Sequence, residues 1–300
     1  MPTITYRPAT FEDTRLTYEI FEESIMDLSQ RFGYTAVTGG DDPEVLENLW
    51  VERRPLFEHL QRTAAHCWIA ETNGKAIGFA RSIIRNGVFE LTDFFVRPSH
   101  QSVGIGRELL SRTFPPTDMH RIIIATSDMR AVIRYLKSGV YPRFPIYYFS
   151  RTPQTSPLDT DLHIQPLAAS PDHIGILNTI DQHIMGYQRP TDHQWLLENR
   201  TGHLYYRDGQ PVGYAYTGEQ NGPFALLNET DFPAVLTHAE NQAAPHNYEF
   251  GVEVPMINRA ALQHLLSRRF QASPFFTFFM TDHQFGDYQN YIFTSPPFFS

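Results

Sequence analysis

Gln101-Ser102-Val103-Gly104-Ile105-Gly106, running on into Arg107-Glu108-Leu109-Leu110, is the stretch whose reading decides the fold of this chain. It sets two glycines directly before a helix whose apolar positions are Leu109, Leu110 and Phe114. Glycine lets a backbone turn tightly and come close to a ligand. The unpaired amides and the dipole at a helix start favour phosphate. On this stretch alone two readings stay open, a turn that binds nothing and a phosphate cradle. A Rossmann loop fits poorly, because its G-x-G-x-x-G follows the first strand. Here the loop comes late and lacks the third glycine.

Working outward, the apolar run Val88–Val96 precedes the loop, and Gly87 separates it from an earlier strand pair. That pair, Trp68–Thr72 and Ala76–Ile84, is joined by Asn73-Gly74, a strong two-residue hairpin signal. Upstream lie a short strand at Thr3–Tyr6 and a capping box at Thr10-Phe11-Glu12-Asp13 that opens a helix. A second helix starts at Asp42-Pro43, and Pro55 is expected to break or kink it. Downstream, Pro115-Pro116 stop the helix after the loop. A buried strand at Ile122–Ala125, a helix over Asp128–Ser138 and a strand at Ile146–Ser150 follow. The pattern predicts an α/β (α+β) unit with a mixed sheet over residues 1–152.

Residues 153–161, two prolines among small polar residues, read as a linker, leaving 162–300 as a second domain. This half repeats the first. Asn73-Gly74…Gly78-Phe79-Ala80 is answered by Asp208-Gly209…Gly213-Tyr214-Ala215 at an offset of 135. Asp128…Ala131…Val140 is answered by Asn258…Ala261…Phe270 at an offset of 130. Agreement of both segments in order and spacing predicts a duplicated unit.

Charge divides at the same place. Residues 1–152 carry 18 Lys+Arg against 18 Asp+Glu, and the remainder 6 against 15, so all of the net −9 lies in the second half. No Lys/Arg-rich run suggests a nucleic-acid partner. No apolar run reaches the ~18 residues of a membrane span. The start, MPTITYRPAT, lacks a signal-peptide pattern, so a soluble, cytoplasmic protein is expected, as monomer or homodimer. The lone Cys67 excludes an internal disulfide and a cysteine-cluster zinc site, and it reads as a core residue.

The glycine stretch resembles the hallmark of the GCN5-related N-acetyltransferases (GNAT), Gln/Arg-x-x-Gly-x-Gly/Ala after the fourth strand, with Gln101, Gly104 and Gly106 in place. A second family motif, Asn-x-x-Ala-x-x-x-Tyr-x-x-x-Gly-Phe, is matched by Asp128, Ala131, Tyr135, Gly139 and Val140, with Asp for Asn and Val for Phe. The resemblance covers the element order of residues 1–150 and implies two tandem GNAT-like acyl-CoA N-acyltransferase domains. It implies acetyl-CoA as co-substrate and no metal. Its pyrophosphate would be held by the loop Gln101, Ser102, Val103, Gly104, Ile105, Gly106 and Arg107, with Asp128 and Arg130 alongside. The pantetheine arm would pair with Phe94, Phe95 and Val96. The acceptor would be a small-molecule or peptide amine.

An amine of pKa near 10 is only about one part in a thousand neutral at pH 7, so a positioned base helps the attack on the thioester. Glu90 lies eleven residues before Gln101, where family members that use a strand glutamate carry it. Asp93 is the second candidate, although plain alternation sends it to the opposite face from Glu90 unless a bulge intervenes. The competing reading of Glu90 is a solvated strand carboxylate. Tyr135 would protonate the leaving thiolate, against the plainer reading of a helix tyrosine packed on the sheet.

The second half has Asn228-Glu229-Thr230-Asp231-Phe232-Pro233 in place of the loop, with Leu265 at the tyrosine position and Arg269 at the glycine position. It reads as a degenerate copy without a donor site, expected to be structural. Two alternatives stay open, a non-catalytic acyl-CoA-binding or sensor protein and a tandem enzyme whose active site lies in the second domain. The Thr-Asp-His-Gln repeats at 191–194 and 281–284 lack metal-ligand spacing and read as turns or helix caps. The aromatic carboxyl-terminal stretch, Tyr291–Phe299, must be buried somewhere.

Overall fold

The computed structural model describes residues 3–33, 42–101, 104–246 and 249–300. The chain forms two compact units, Met1–Ile123 with Asp128–Val140, and Ile124–Ser127 with Tyr141–Ser300.

The first unit opens with β1 (Ile4–Pro8). At the expected capping box the Thr10 amide donates to Asp13 Oδ2 at 2.8 Å, and a 3-10 turn leads into α1 (Thr14–Phe32). α2 (Pro43–Arg62) begins with Asp42 accepting from the Glu44 amide. Of the break or kink expected at Pro55, the break is absent, and α2 runs on through it. Trp50, Leu56, Phe57 and Leu60 are buried on either side of it, and this packing outweighs the one lost backbone hydrogen bond.

β2 (Ala64–Thr72) and β3 (Lys75–Arg85) form the hairpin, with Asn73 and Gly74 at φ 50° and 71°, both left-handed as a type I′ turn requires. β4 (Val88–Val96), α3 (Ile105–Thr113), β5 (His120–Thr126) and α4 (Met129–Lys137) follow. The strand order is β1-β2-β3-β4-β5, antiparallel except for the parallel pair β4–β5. One face of the sheet packs on α1 and α2, and Arg81 Nη1 there donates to the Phe57 carbonyl at 3.2 Å. The other face packs on α3, where Ser82 Oγ donates to the Thr113 carbonyl at 2.8 Å. Phe57, Ile69, Phe79, Leu109 and Ile122 are fully buried between these layers. Each contributes about 1.5–3 kcal/mol through burial.

β6 (Tyr141–Arg151), the strand expected to end the first unit, pairs on both edges with strands of the second half. That unit continues with β7 (His163–Pro166), α5 (Pro171–Ile184), α6 (Pro190–Asn199), β8 (Thr201–Arg207), β9 (Gln210–Thr217) and β10 (Phe224–Leu226). It ends with α7 (Phe232–Ala243), β11 (Phe250–Pro255), α8 (Arg259–Ser267), β12 (Gln271–Thr281) and β13 (Tyr291–Ile292). β6 lies between β11 and β12, while β13-β10-β9-β8-β7 make a second sheet.

The duplication is visible at the backbone. Asp208 and Gly209 repeat the left-handed pair at φ 52° and 75°. The bulge at Ile77 of β3, opposite Ala70 and Glu71, recurs at Val212 of β9, opposite Tyr205 and Tyr206. Gly139, which ends α4 at φ 79°, is answered by Arg269 at φ 63° after α8. The aromatic carboxyl terminus is accounted for as well. β13 pairs with β10, and Phe293 bridges to Glu253 on β11, so this segment runs between β10 and β11.

Candidate active site

The parallel ladder between β4 and β5 ends at the pair Leu91–Ile123, whereas β4 continues along β3 to the pair Val96–Gly78. Phe94, Phe95 and Val96 therefore lie on the part of β4 beyond its last pairing with β5. In the second unit the corresponding gap, between β10 and β11, is occupied by the chain's own β13.

The glycines after β4 have separate physical reasons. Gly104 caps α3 with φ 90°, a conformation that side-chain-bearing residues rarely adopt. Gly106 is buried, and a Cβ there would fall 2.8 Å from Phe94 Cζ. The start of α3 is thereby brought against β4, with the first-turn amides of Ile105 and Gly106 at its open end. Ser102 and Val103 lie outside the described residues. Gln101 ties the loop down. Its Nε2 donates to the Val96 carbonyl at 3.1 Å, and its Oε1 accepts from Arg130 Nη1 at 2.9 Å.

Asp128 is the N-cap of α4, accepting from the Arg130 amide at 2.9 Å and from Arg31 Nη2 at 3.1 Å. Burial works against its charge, but the hydrogen bonds from Arg130 and Arg31 hold the carboxyl below the usual range. Arg107 is exposed in the first turn of α3. The Arg134 guanidinium carbon lies 3.8 Å from the Cβ position of Gly106. A helix start with Arg107 in its first turn and Arg134 beside it suits an anion.

Tyr135 is buried, edge-on to Phe94 with ring centroids 6.0 Å apart. Burial pushes its phenol well above the usual value, so it holds its proton throughout the physiological range. Phe94 pairs with Ala80 and shares the α3 face, whereas Phe95 meets Phe21 of α1 at 5.2 Å on the opposite face.

The bulge left open by strand alternation is present. Arg81 pairs with Asp93 and Ser82 with Leu91, leaving Thr92 as the extra residue. Asp93 and Glu90 therefore share the α1–α2 face. Asp93 is engaged, its Oδ2 accepting from Arg81 Nε at 2.8 Å with both side chains fully buried. Glu90 is also buried, at 3% exposure, so the solvated-carboxylate reading does not hold. Cys67 is a core residue whose thiol burial pushes up to about 12.

Two groups escaped the sequence reading. On α1 the buried Tyr18 and Glu22 sit one turn apart, and Glu22 pairs with Arg53 of α2. Burial raises the Glu22 carboxyl, against the pull of Arg53, and the buried Tyr18 hydroxyl interacts with it. The available signal was their i,i+4 spacing on the stripe holding Phe21 and Ile25.

In the second unit, His193 of the first Thr-Asp-His-Gln repeat is no cap. Its Nε2 contacts Asp181 Oδ2 at 2.8 Å, beside the 2.7 Å bond from Arg189 Nε, with all three side chains fully buried. At the second repeat Thr281 Oγ1 donates to the His283 carbonyl at 2.7 Å, a local turn as expected. The start of α7 carries Glu229 and Asp231 where α3 carries Gly104.

Residues 24–136 match the family model described as Acetyltransferase (GNAT) family. Among solved structures, an assigned acetyltransferase from Pyrococcus horikoshii is 15% identical with TM-score 0.68, covering 96% of this chain and 92% of its own. A tandem GNAT protein from the clavulanic acid biosynthesis pathway is 10% identical with TM-score 0.58, covering 94% and 100%. A GCN5-related N-acetyltransferase from Sphaerobacter thermophilus is 12% identical with TM-score 0.59, covering 93% and 95%. These identities speak for the tandem fold alone. No curated protein matches the sequence. No helix among the described residues is long and apolar enough to cross a membrane.

Proposed function

We propose, from the match of residues 24–136 to the acetyltransferase (GNAT) family model, that the first unit moves an acetyl group from acetyl-CoA to an amine. The observation that carries this reading is the end of β4 left without β5 beside an α3 start opened by Gly104 and Gly106. The β4 backbone from Phe94 to Val96 would receive the pantetheine arm. The amides of Ile105 and Gly106, with the exposed Arg107 side chain, would receive the pyrophosphate. Arg130 and Gln101 hold that loop to α4 and to β4.

In the reaction the neutral amine nitrogen forms a bond to the acyl carbon, the amine's proton passes to Glu90, and the C–S bond breaks as Tyr135 protonates the sulfur. Tyr135 is assigned to the last step by its place edge-on to Phe94 at the end of β4, where burial keeps the phenol in its protonated form. Backbone amides at Phe95 and Val96 would polarise the acyl carbonyl. Asp93, bound to Arg81, is assigned to holding the sheet rather than to proton transfer. The second unit lacks the glycine loop and starts α7 with acidic residues, so a single donor site per chain is proposed.

Thiol release from acetyl-CoA across a panel of amines tests the reading. Wild type should turn over at least one amine. Tyr135→Phe should lower turnover by ~10²-fold or more with donor affinity little changed. Tight acetyl-CoA binding without release for any amine would replace the enzyme with a binding protein.

A further inference from the structure

A cavity of about 510 Å³ opens in the second unit at the end of α8, framed by Arg151, Thr152, Ser156, Ser267, Arg268 and Arg269. That volume lies within the ~300–1,000 Å³ of small-molecule sites. Residues 153–300 contain only six basic residues, yet two of them meet Arg151 here.

The local charge is unbalanced. Glu240 is 1% exposed and takes both Arg151, at 3.0 Å, and Arg268, at 2.8 Å. One carboxylate thus answers two guanidinium groups. Arg151 Nη2 is buried without a hydrogen-bond partner. The Arg269 side chain is exposed and makes no hydrogen bond or ion pair among the described residues. Two positive charges remain, enough for a dianion, with hydroxyls of Thr152 and Ser156 at the wall.

The wall is held in place. Gln154 donates its amide to Glu240 Oε1 at 2.9 Å, and Ser156 exchanges hydrogen bonds with Asn241 at 2.9 and 2.8 Å. Arg269 also stands at φ 63°, where the first repeat has Gly139. An arginine is kept where glycine would be less strained, and observed backbone strain of this kind points to function.

We propose that this cavity binds a small phosphorylated anion, in a site separate from the acetyl-donor loop. Phosphate is the chemistry that the uncommitted Arg269 guanidinium recognises, in a cavity kept net positive by Arg151 and Arg268.

The test is a titration of the full chain with inorganic phosphate at constant ionic strength, read by calorimetry and by melting temperature against chloride. Wild type should show a saturable heat and a saturable rise in Tm. Arg269→Gly should melt no lower than wild type without phosphate, because its backbone strain is relieved, yet bind phosphate at least about tenfold more weakly. Gly104→Val, altered only at the donor loop, should keep the response that Arg269→Gly loses. An equal phosphate response in wild type and Arg269→Gly, or none in wild type, would overturn the proposal. Neither result depends on acetyl transfer, so the two readings stand or fall separately.

Discussion

Replacing Gly106 by alanine adds one methyl group at the tightest point between α3 and β4. The new carbon would sit 2.8 Å from Phe94 Cζ and 3.4 Å from Cε2. Carbon atoms rest about 3.5–4.0 Å apart, so the ring or the helix must retreat by about 1 Å. The helix resists, because Ile105, Leu109 and Leu110 are buried beneath it. The ring is backed by Tyr135. Overpacking of this kind costs about 1–3 kcal/mol. At about 2–4 °C per kcal/mol for a unit of this size, a middle value of about 2 kcal/mol lowers Tm by roughly 4–8 °C. Acetyl-CoA affinity should fall as well, since the displaced amides are those assigned to the pyrophosphate. Phe94→Leu in the same chain removes the clashing ring atoms and should recover most of the stability. Urea unfolding and calorimetric titration of acetyl-CoA read both effects. Wild-type stability and affinity in Gly106→Ala would refute the close-approach reasoning.

Asp93→Asn should cost about 3–5 kcal/mol in urea unfolding, because it leaves Arg81 charged and fully buried without its carboxylate. A loss of turnover at unchanged stability would instead make Asp93 the base. Glu253 gives a pH signature, since burial pushes its carboxyl up to about 8. Between its unfolded value near 4.5 and about 8, the folded state binds the proton and the unfolded state does not. This group's contribution is therefore present at low pH and lost as pH rises through about 8. Glu253→Gln should flatten stability between pH 5 and 9 and raise it at the alkaline end; an unchanged profile would remove the assignment.

Local features were legible where one or two residue types determine the backbone. Asn73-Gly74 and Asp208-Gly209 announced their hairpins, and the 135-residue offset carried even the bulge at Ile77 and Val212. Gly104 and Gly106 were readable because a positive φ and a ring packed on a helix both demand glycine. What escaped depends on partners distant in the chain. β6 is an ordinary apolar strand, and nothing within it tells that β11 and β12 flank it. The place of β13 between β10 and β11 is likewise invisible locally. Alternation alone could not decide the face of Asp93, which rests on one extra residue, Thr92. The buried Asp181–Arg189–His193 group escaped, and His193 read as a turn or helix cap, because its three members meet only after folding.

The donor site is tested most directly by the stoichiometry of acetyl-CoA in a calorimetric titration of the full chain, beside the same titration of Gly104→Val. One site per chain in wild type, abolished by Gly104→Val, is the predicted result. Two sites per chain, or one site indifferent to Gly104→Val, would contradict the assignment of donor binding to the first unit.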